Sequence, residues 1–155
     1  MRIRTLMFAA VLSLGACGGK GKTPEGPTST GSGDTASTKS LYDRIGGTDG
    51  ISGVVDQFLT NVGADNRINA MFANADLKVL KTKLVEQICQ ASGGPCTYSG
   101  KSMKEAHTGM GVTGAHFDAL VEDLVKALDT IGVKDPEKGE LLKALGGMKP
   151  DIVEK

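Results

Sequence analysis

Met103-Lys104-Glu105-Ala106-His107 is the stretch on which the reading of this chain turns. Ser102 precedes it and Glu105 lies three residues on, the spacing of a capping box, so a short helix is expected to end at His107. Gly109-Met110-Gly111 follows at once as a glycine hinge. His107 is one of two histidines in the chain. Such an imidazole has two readings. It is an ordinary helix-end histidine, half buried and hydrogen-bonded, or it points into an apolar helical pocket, where it can bind a haem iron.

The flanking segments read as helices. Thr48 or Asp49 is expected to cap a helix carrying Ile51, Val54, Val55, Phe58, Leu59 and Val62, a clean 3.6-residue stripe. Asp65 opens a short helix with Ile68, Met71 and Phe72. Asp76 opens another with Leu77, Leu80, Leu84, Val85 and Ile88, stopped by Gly93-Gly94-Pro95. Beyond the hinge, Thr113 starts a long helix with Phe117, Leu120, Val121, Leu124, Val125 and Leu128, closed by Gly132. Asp135-Pro136 opens the last helix, with Leu141, Leu142 and Leu145 inside, and Gly146-Gly147 ends it. No segment alternates with the period of a strand, and no internal repeat is evident. The fold class is all-α. Aromatic residues are only 4% of the chain and Trp is absent. Wide apolar faces with so few large side chains leave room for a flat cofactor; a core filled by Leu and Val is the other reading.

The chain opens with a different pattern. Arg2 and Arg4, the apolar run Leu6 to Leu12 and small residues Gly15-Ala16 follow the order of a secretory signal. The run is too short to span a bilayer as a finished helix. Leu14-Gly15-Ala16-Cys17 resembles the bacterial lipobox, which implies cleavage after residue 16 and acylation of Cys17. Several acyl chains on one residue anchor a protein stably where one does not. Gly18 follows the Cys, where lipoproteins kept at the inner membrane often carry Asp, so the address points to the outer membrane if the cell is Gram-negative. Residues 17–39, the acylated Cys followed by Gly, Ser, Thr, Pro and Lys, read as a tether unable to bury a core. The folded domain is expected over residues 40–155.

With Cys17 acylated, Cys89 and Cys96 remain as an even pair outside the cytoplasm. The intervening loop can reverse direction, and a bridge there would stabilise by about 2–3 kcal/mol in the chain-entropy picture. Two free thiols are the alternative. There is no CxxC, so neither a thiol oxidoreductase nor a zinc site is supported. The 18 basic and 18 acidic residues balance. No basic patch stands out, so nucleic acid is not an expected partner.

The order of helices, glycine pairs and a lone histidine resembles the group I truncated haemoglobins from about Leu41 to Val153. The likeness is carried by Leu41-Tyr42-Asp43-Arg44-Ile45-Gly46-Gly47, Val54-Val55-Asp56-Gln57-Phe58, Ala64-Asp65 and Phe72. It continues through Gly93-Gly94-Pro95, Tyr98-Ser99-Gly100, Met103 to His107, Val112-Thr113, His116-Phe117 and Lys149-Pro150-Asp151. The resemblance implies a two-over-two helical sandwich around haem b, with His107 as the proximal iron ligand. It implies Phe58 and Phe72 flanking the haem, with Leu77 beside them, and Met103, Val112, Phe117 and Leu120 on or near the proximal side. Lys83 matches a basic residue placed to pair with a propionate, although a solvated surface lysine reads equally well. Tyr98 matches a Tyr near the haem edge, or packs its loop. His116, at a helix start, reads as structural.

One departure concerns the distal side. The family's oxygen-stabilising Tyr falls on Leu59 and its assisting Gln on Leu84, and the third distal position is Leu80. Gln87 is the nearby polar residue, with its side chain expected towards solvent. The resemblance therefore implies reversible binding of a diatomic gas (oxygen, nitric oxide or carbon monoxide) at a five-coordinate iron, tethered at the cell envelope. An enzyme oxidising nitric oxide to nitrate, with electrons from an external reductase, is the alternative that the all-leucine pocket disfavours. A haem-free structural lipoprotein domain is the third reading.

Overall fold

The computed structural model of the protein describes residues 39–154. The expected signal segment 1–16, the expected acylation site Cys17 and the expected tether up to residue 38 lie outside the described residues, as does residue 155. Seven α-helices and one 3-10 turn make up the described part: α1 Leu41–Ile45, α2 Gly47–Ala64, a 3-10 turn Asn69–Phe72, α3 Leu77–Ala91, α4 Met103–His107, α5 Gly114–Ile131, α6 Asp135–Gly146 and α7 Lys149–Ile152. Among the described residues there is no strand, and no helix is long and apolar enough to cross a membrane.

The caps explain most boundaries. Asp76 accepts from the amides of Lys78 and Val79 at the start of α3. Thr113 and Gly132 bracket α5, Thr113 with its hydroxyl on the His116 amide and Gly132 in the left-handed conformation (φ +83°). At α2 the expected cap is corrected. The helix starts at Gly47, ahead of Thr48 and Asp49, because Gly46 takes φ +101° and turns α1 directly into α2. The Thr48 amide is satisfied by the Tyr42 hydroxyl at 3.1 Å. Asp65 caps the end of α2 instead of opening a helix. Its carboxylate accepts from the Arg67 amide at 2.9 Å, which makes a turn, and the short helix comes later as the 3-10 turn at Asn69–Phe72. The helix opened by Asp135-Pro136 is followed by α7, so it is not the last.

Helices α2 and α5 make the largest contact, α3 packs on α2 and α6, and α5 also meets α6. The four form a closed circuit, two helices over two. Their apolar faces meet in a core of Ile51, Val54, Val55, Val62, Ile88, Leu128 and Leu141, all close to fully buried. Arg44 ties α1 to α6 through Glu137 at 3.1 Å. The short helix α4 packs against α7. A disulfide joins Cys89 and Cys96, with Cα atoms 5.7 Å apart, and holds the end of α3 to the loop leading to α4.

The turn after α2 has a consequence in acid. The Arg67 guanidinium, hydrogen-bonded to Asp65 at 2.7 Å, holds that carboxyl down at about 2. A carboxyl whose folded value lies below its unfolded one stabilises fully above the unfolded value and loses that contribution as pH falls through the folded one. Stability should therefore fall between about pH 4 and pH 2, and Asp65→Asn should make this part of the acid limb shallower. Urea unfolding midpoints of the two proteins across that range check it. Parallel acid limbs would contradict it.

Candidate functional site

The site is built from α4 outward. A five-residue helix cannot hold itself in water, so its ends have to be fixed by neighbours. Ser102 and Glu105 fix the first end. The Ser102 hydroxyl accepts from the Glu105 amide at 3.3 Å, and the Glu105 carboxylate accepts from the Ser102 amide at 3.1 Å. The Ser102 hydroxyl and amide together hold the Glu105 carboxyl below its ordinary range.

His107 closes the helix, half buried, with Nδ1 2.7 Å from the Met103 carbonyl oxygen. A carbonyl only accepts, so Nδ1 carries the proton. In the neutral ring Nε2 then presents a lone pair, and among the described residues it takes no hydrogen bond. This is the arrangement a metal-ligating imidazole needs: one nitrogen oriented by a backbone carbonyl, the other free to coordinate. His116 is spent differently. Its Nδ1 accepts from the Thr113 amide at 3.3 Å and completes the cap of α5.

Helix α3 faces α4. Leu80, Leu84 and Gln87 share one stripe of α3, and Gln87 donates from Nε2 to the Met103 sulfur at 3.0 Å and to the Met148 sulfur at 3.3 Å. The expectation that Gln87 points to solvent is thus corrected. Its register with the two leucines carries it inward, onto the first residue of the helix that bears His107. Leu80 and Leu84 are half buried, as is Leu59 on α2. A cleft of about 310 Å3 opens beside Leu59 and is lined by Val62, Asn69, Phe72 and Leu77 among others. Leu77 sits at its mouth, 55% exposed. Phe58 packs into the core between the helices. Val112 and Phe117 are buried, and Leu120 and Met103 are half buried.

The two polar candidates are both engaged. Lys83 donates to Glu86 at 3.1 Å and to the Ser99 hydroxyl. Tyr98 donates from its hydroxyl to the Lys101 carbonyl at 2.9 Å, within its own loop. Sequence reasoning missed Met148 and Glu154. A second cleft, of about 280 Å3, brings His107 and Lys104 beside residues 150–154, and nothing in the spacing of Glu154 marks it as close to a histidine 47 positions earlier.

The sequence model of the bacterial-like globins matches residues 40–154. The chain belongs to that family. A group 1 truncated haemoglobin of Mycolicibacterium paratuberculosis is 38% identical over 117 residues, which are 76% of this chain and 86% of the relative. One from Tetrahymena pyriformis is 32% identical, over 76% of this chain and 97% of the relative. The T. pyriformis crystal structure in its Fe(III) form superposes with a TM-score of 0.72 and covers 76% of this chain and all of that one. The 2/2 haemoglobin of a Synechococcus species, solved in the cyanomet state with covalently attached haem, is 31% identical with a TM-score of 0.71 and the same coverage. The protein is a truncated two-over-two globin, and its cofactor is haem iron.

The residues of this globin fit that group. The imidazole of His107, oriented through Nδ1, could supply a ligand from α4, and the Leu80–Leu84 stripe of α3 could supply apolar contact. The T. pyriformis globin has also been solved with a Tyr changed to Phe and with either of two later Gln residues changed to Glu. With that Tyr set against Leu59, as the sequence resemblance implies, equal intervals carry the two Gln positions to Leu80 and Leu84.

Proposed function

We propose that this globin binds a diatomic gas reversibly through a haem b iron ligated by His107, with an apolar distal side made by Leu59, Leu80 and Leu84. The haem supplies the iron at which the gas coordinates. The chain's own residues do the rest. The Met103 carbonyl holds the Nδ1 proton of His107, which sets the ring's orientation and leaves Nε2 as the donor to iron; this contact carries the reading. Leu59, Leu80 and Leu84 exclude water and offer no hydrogen bond. Phe72 and Leu77 border the cleft beside Leu59, and Val112 and Phe117, both buried, with half-buried Leu120, would give the haem apolar contact on the proximal side. Lys83 is within the reach of its own Glu86 and Ser99, so any grip on a propionate is shared with them.

The infrared stretch of carbon monoxide bound to the ferrous protein tests the apolar side. A pocket with no donor should give one band that does not move on exchange into heavy water. A lowered band with a deuterium shift would place a donor at the gas and contradict the reading.

The tethering belongs to the same proposal. Acylation at Cys17 would hold the globin at the cell envelope by residues 17–39, with the outer membrane the destination in a Gram-negative cell. Cys17→Ser should turn a membrane-pelleting, acyl-labelled protein into a soluble or unprocessed one. Wild-type protein found in the cytosol with Met1 intact would overturn the address.

A further inference from the structure

The hinge after His107 is held by a single carboxylate. Gly109 and Gly111 take φ of +81° and +64°, conformations that glycine adopts without strain. Their amides converge. Gly111 donates to Oε2 of Glu154 at 3.1 Å, and Gly109 donates to Oε1 of the same side chain. Turns with glycines of this kind gather backbone N–H groups into a concave anion site, and here the chain's own carboxylate fills it. The Glu154 amide donates in turn to the Val112 carbonyl at 2.9 Å, and Val112 is 7% exposed. Residues 149–154 thus run as a strap over the hinge, anchored at three backbone points. The Met110 amide donates back to the His107 carbonyl at 3.1 Å, so the strapped turn continues directly into the histidine.

We infer that Glu154 is a positioning residue for His107. The inference rests on the reading of His107 as the iron ligand. Helix α4 is one turn long, and the Ser102–Glu105 box fixes only its first end. The other end, where the imidazole projects, is set by the turn that Glu154 grips. Charge-assisted bonds to two amides hold that turn more firmly than neutral ones would. The strap thereby limits the tilt of the ring about the axis set by the Met103 carbonyl.

The test takes the full chain of wild type, Glu154→Ala, Glu154→Gln and His107→Ala through the same haem loading and compares them. Two quantities are read: the iron–histidine stretching band of the gas-free ferrous protein by resonance Raman, and the rate of haem transfer to an acceptor apoglobin. Glu154→Ala removes both charge-assisted bonds to the turn and should broaden and shift the band and speed haem loss by about tenfold or more. Glu154→Gln keeps one acceptor oxygen and should fall between. An unchanged band and unchanged transfer rate in Glu154→Ala would overturn the inference, as would a change confined to thermal stability. His107→Ala separates the two readings. If it keeps the iron–histidine band, the assignment of the ligand has failed. If it loses the band while Glu154→Ala matches wild type, only the role of Glu154 has failed.

Discussion

Replacing His107 by Ala is expected to leave a folded globin that no longer retains haem, while replacing His116 by Ala should leave haem bound. The contrast follows from what each imidazole does. His107 spends Nδ1 on the Met103 carbonyl and keeps Nε2 free among the described residues. His116 spends its Nδ1 on the Thr113 amide. Losing an outer contact to a metal ligand costs about 10–100-fold in affinity, so losing the ligand itself should cost more than that. Losing the cap at His116 should cost about 1 kcal/mol of stability and little else. Haem titration followed at the Soret band, with circular dichroism to check the fold, measures both. Equal haem loss in the two variants would mean that the wrong imidazole, or neither, holds the iron.

Replacing Leu59 by Tyr is expected to slow oxygen release by roughly ten- to a hundredfold, since a hydrogen bond to a charged group is worth about 1.5–3 kcal/mol and each 1.4 kcal/mol is tenfold. On the proposed assignment of the distal side, leucine at this place offers no hydrogen bond to a polar gas. Leu80 and Leu84 are equally silent, and Gln87, the polar side chain on their stripe, donates to the sulfurs of Met103 and Met148. Carbon monoxide is less polar and should respond less to the new hydroxyl. Stopped-flow displacement of oxygen by carbon monoxide gives the rates. If Leu59→Tyr leaves oxygen release unchanged, residue 59 does not face the gas. If wild type already releases oxygen slowly, Gln87 is the first side chain to remove.

The parts of this fold that were legible in the sequence are those with local causes. Ser102 with Glu105, Asp76, Thr113 and Gly132 each cap a helix through atoms within a few residues, and their spacing shows it. The stripe from Ile51 to Val62 is long enough for its period to speak. His107 stood out because its helix, its hinge and its scarcity coincide. What escaped reading depends on contacts distant in sequence. Helix α7, four residues long, has no period to detect. The start of α2 has no local signal, because the Thr48 amide is satisfied by the Tyr42 hydroxyl, six residues back, instead of by a side-chain cap. Nothing local distinguishes Gln87 from a solvated surface amide, and only the sulfurs of Met103 and Met148 give its side chain an inward partner. Glu154 carries no local signal at all. Its meaning lies in two glycine amides more than forty residues earlier.

Ligation of haem iron by His107 is tested most directly by the absorption spectrum of the purified ferrous protein, taken first without gas and then under oxygen. A haem iron held by His107 alone, against a face of leucines, should give a five-coordinate high-spin spectrum that converts on oxygenation and returns when the gas is removed. A protein that takes up no haem, or whose gas-free ferrous form is already six-coordinate and low-spin, would contradict it.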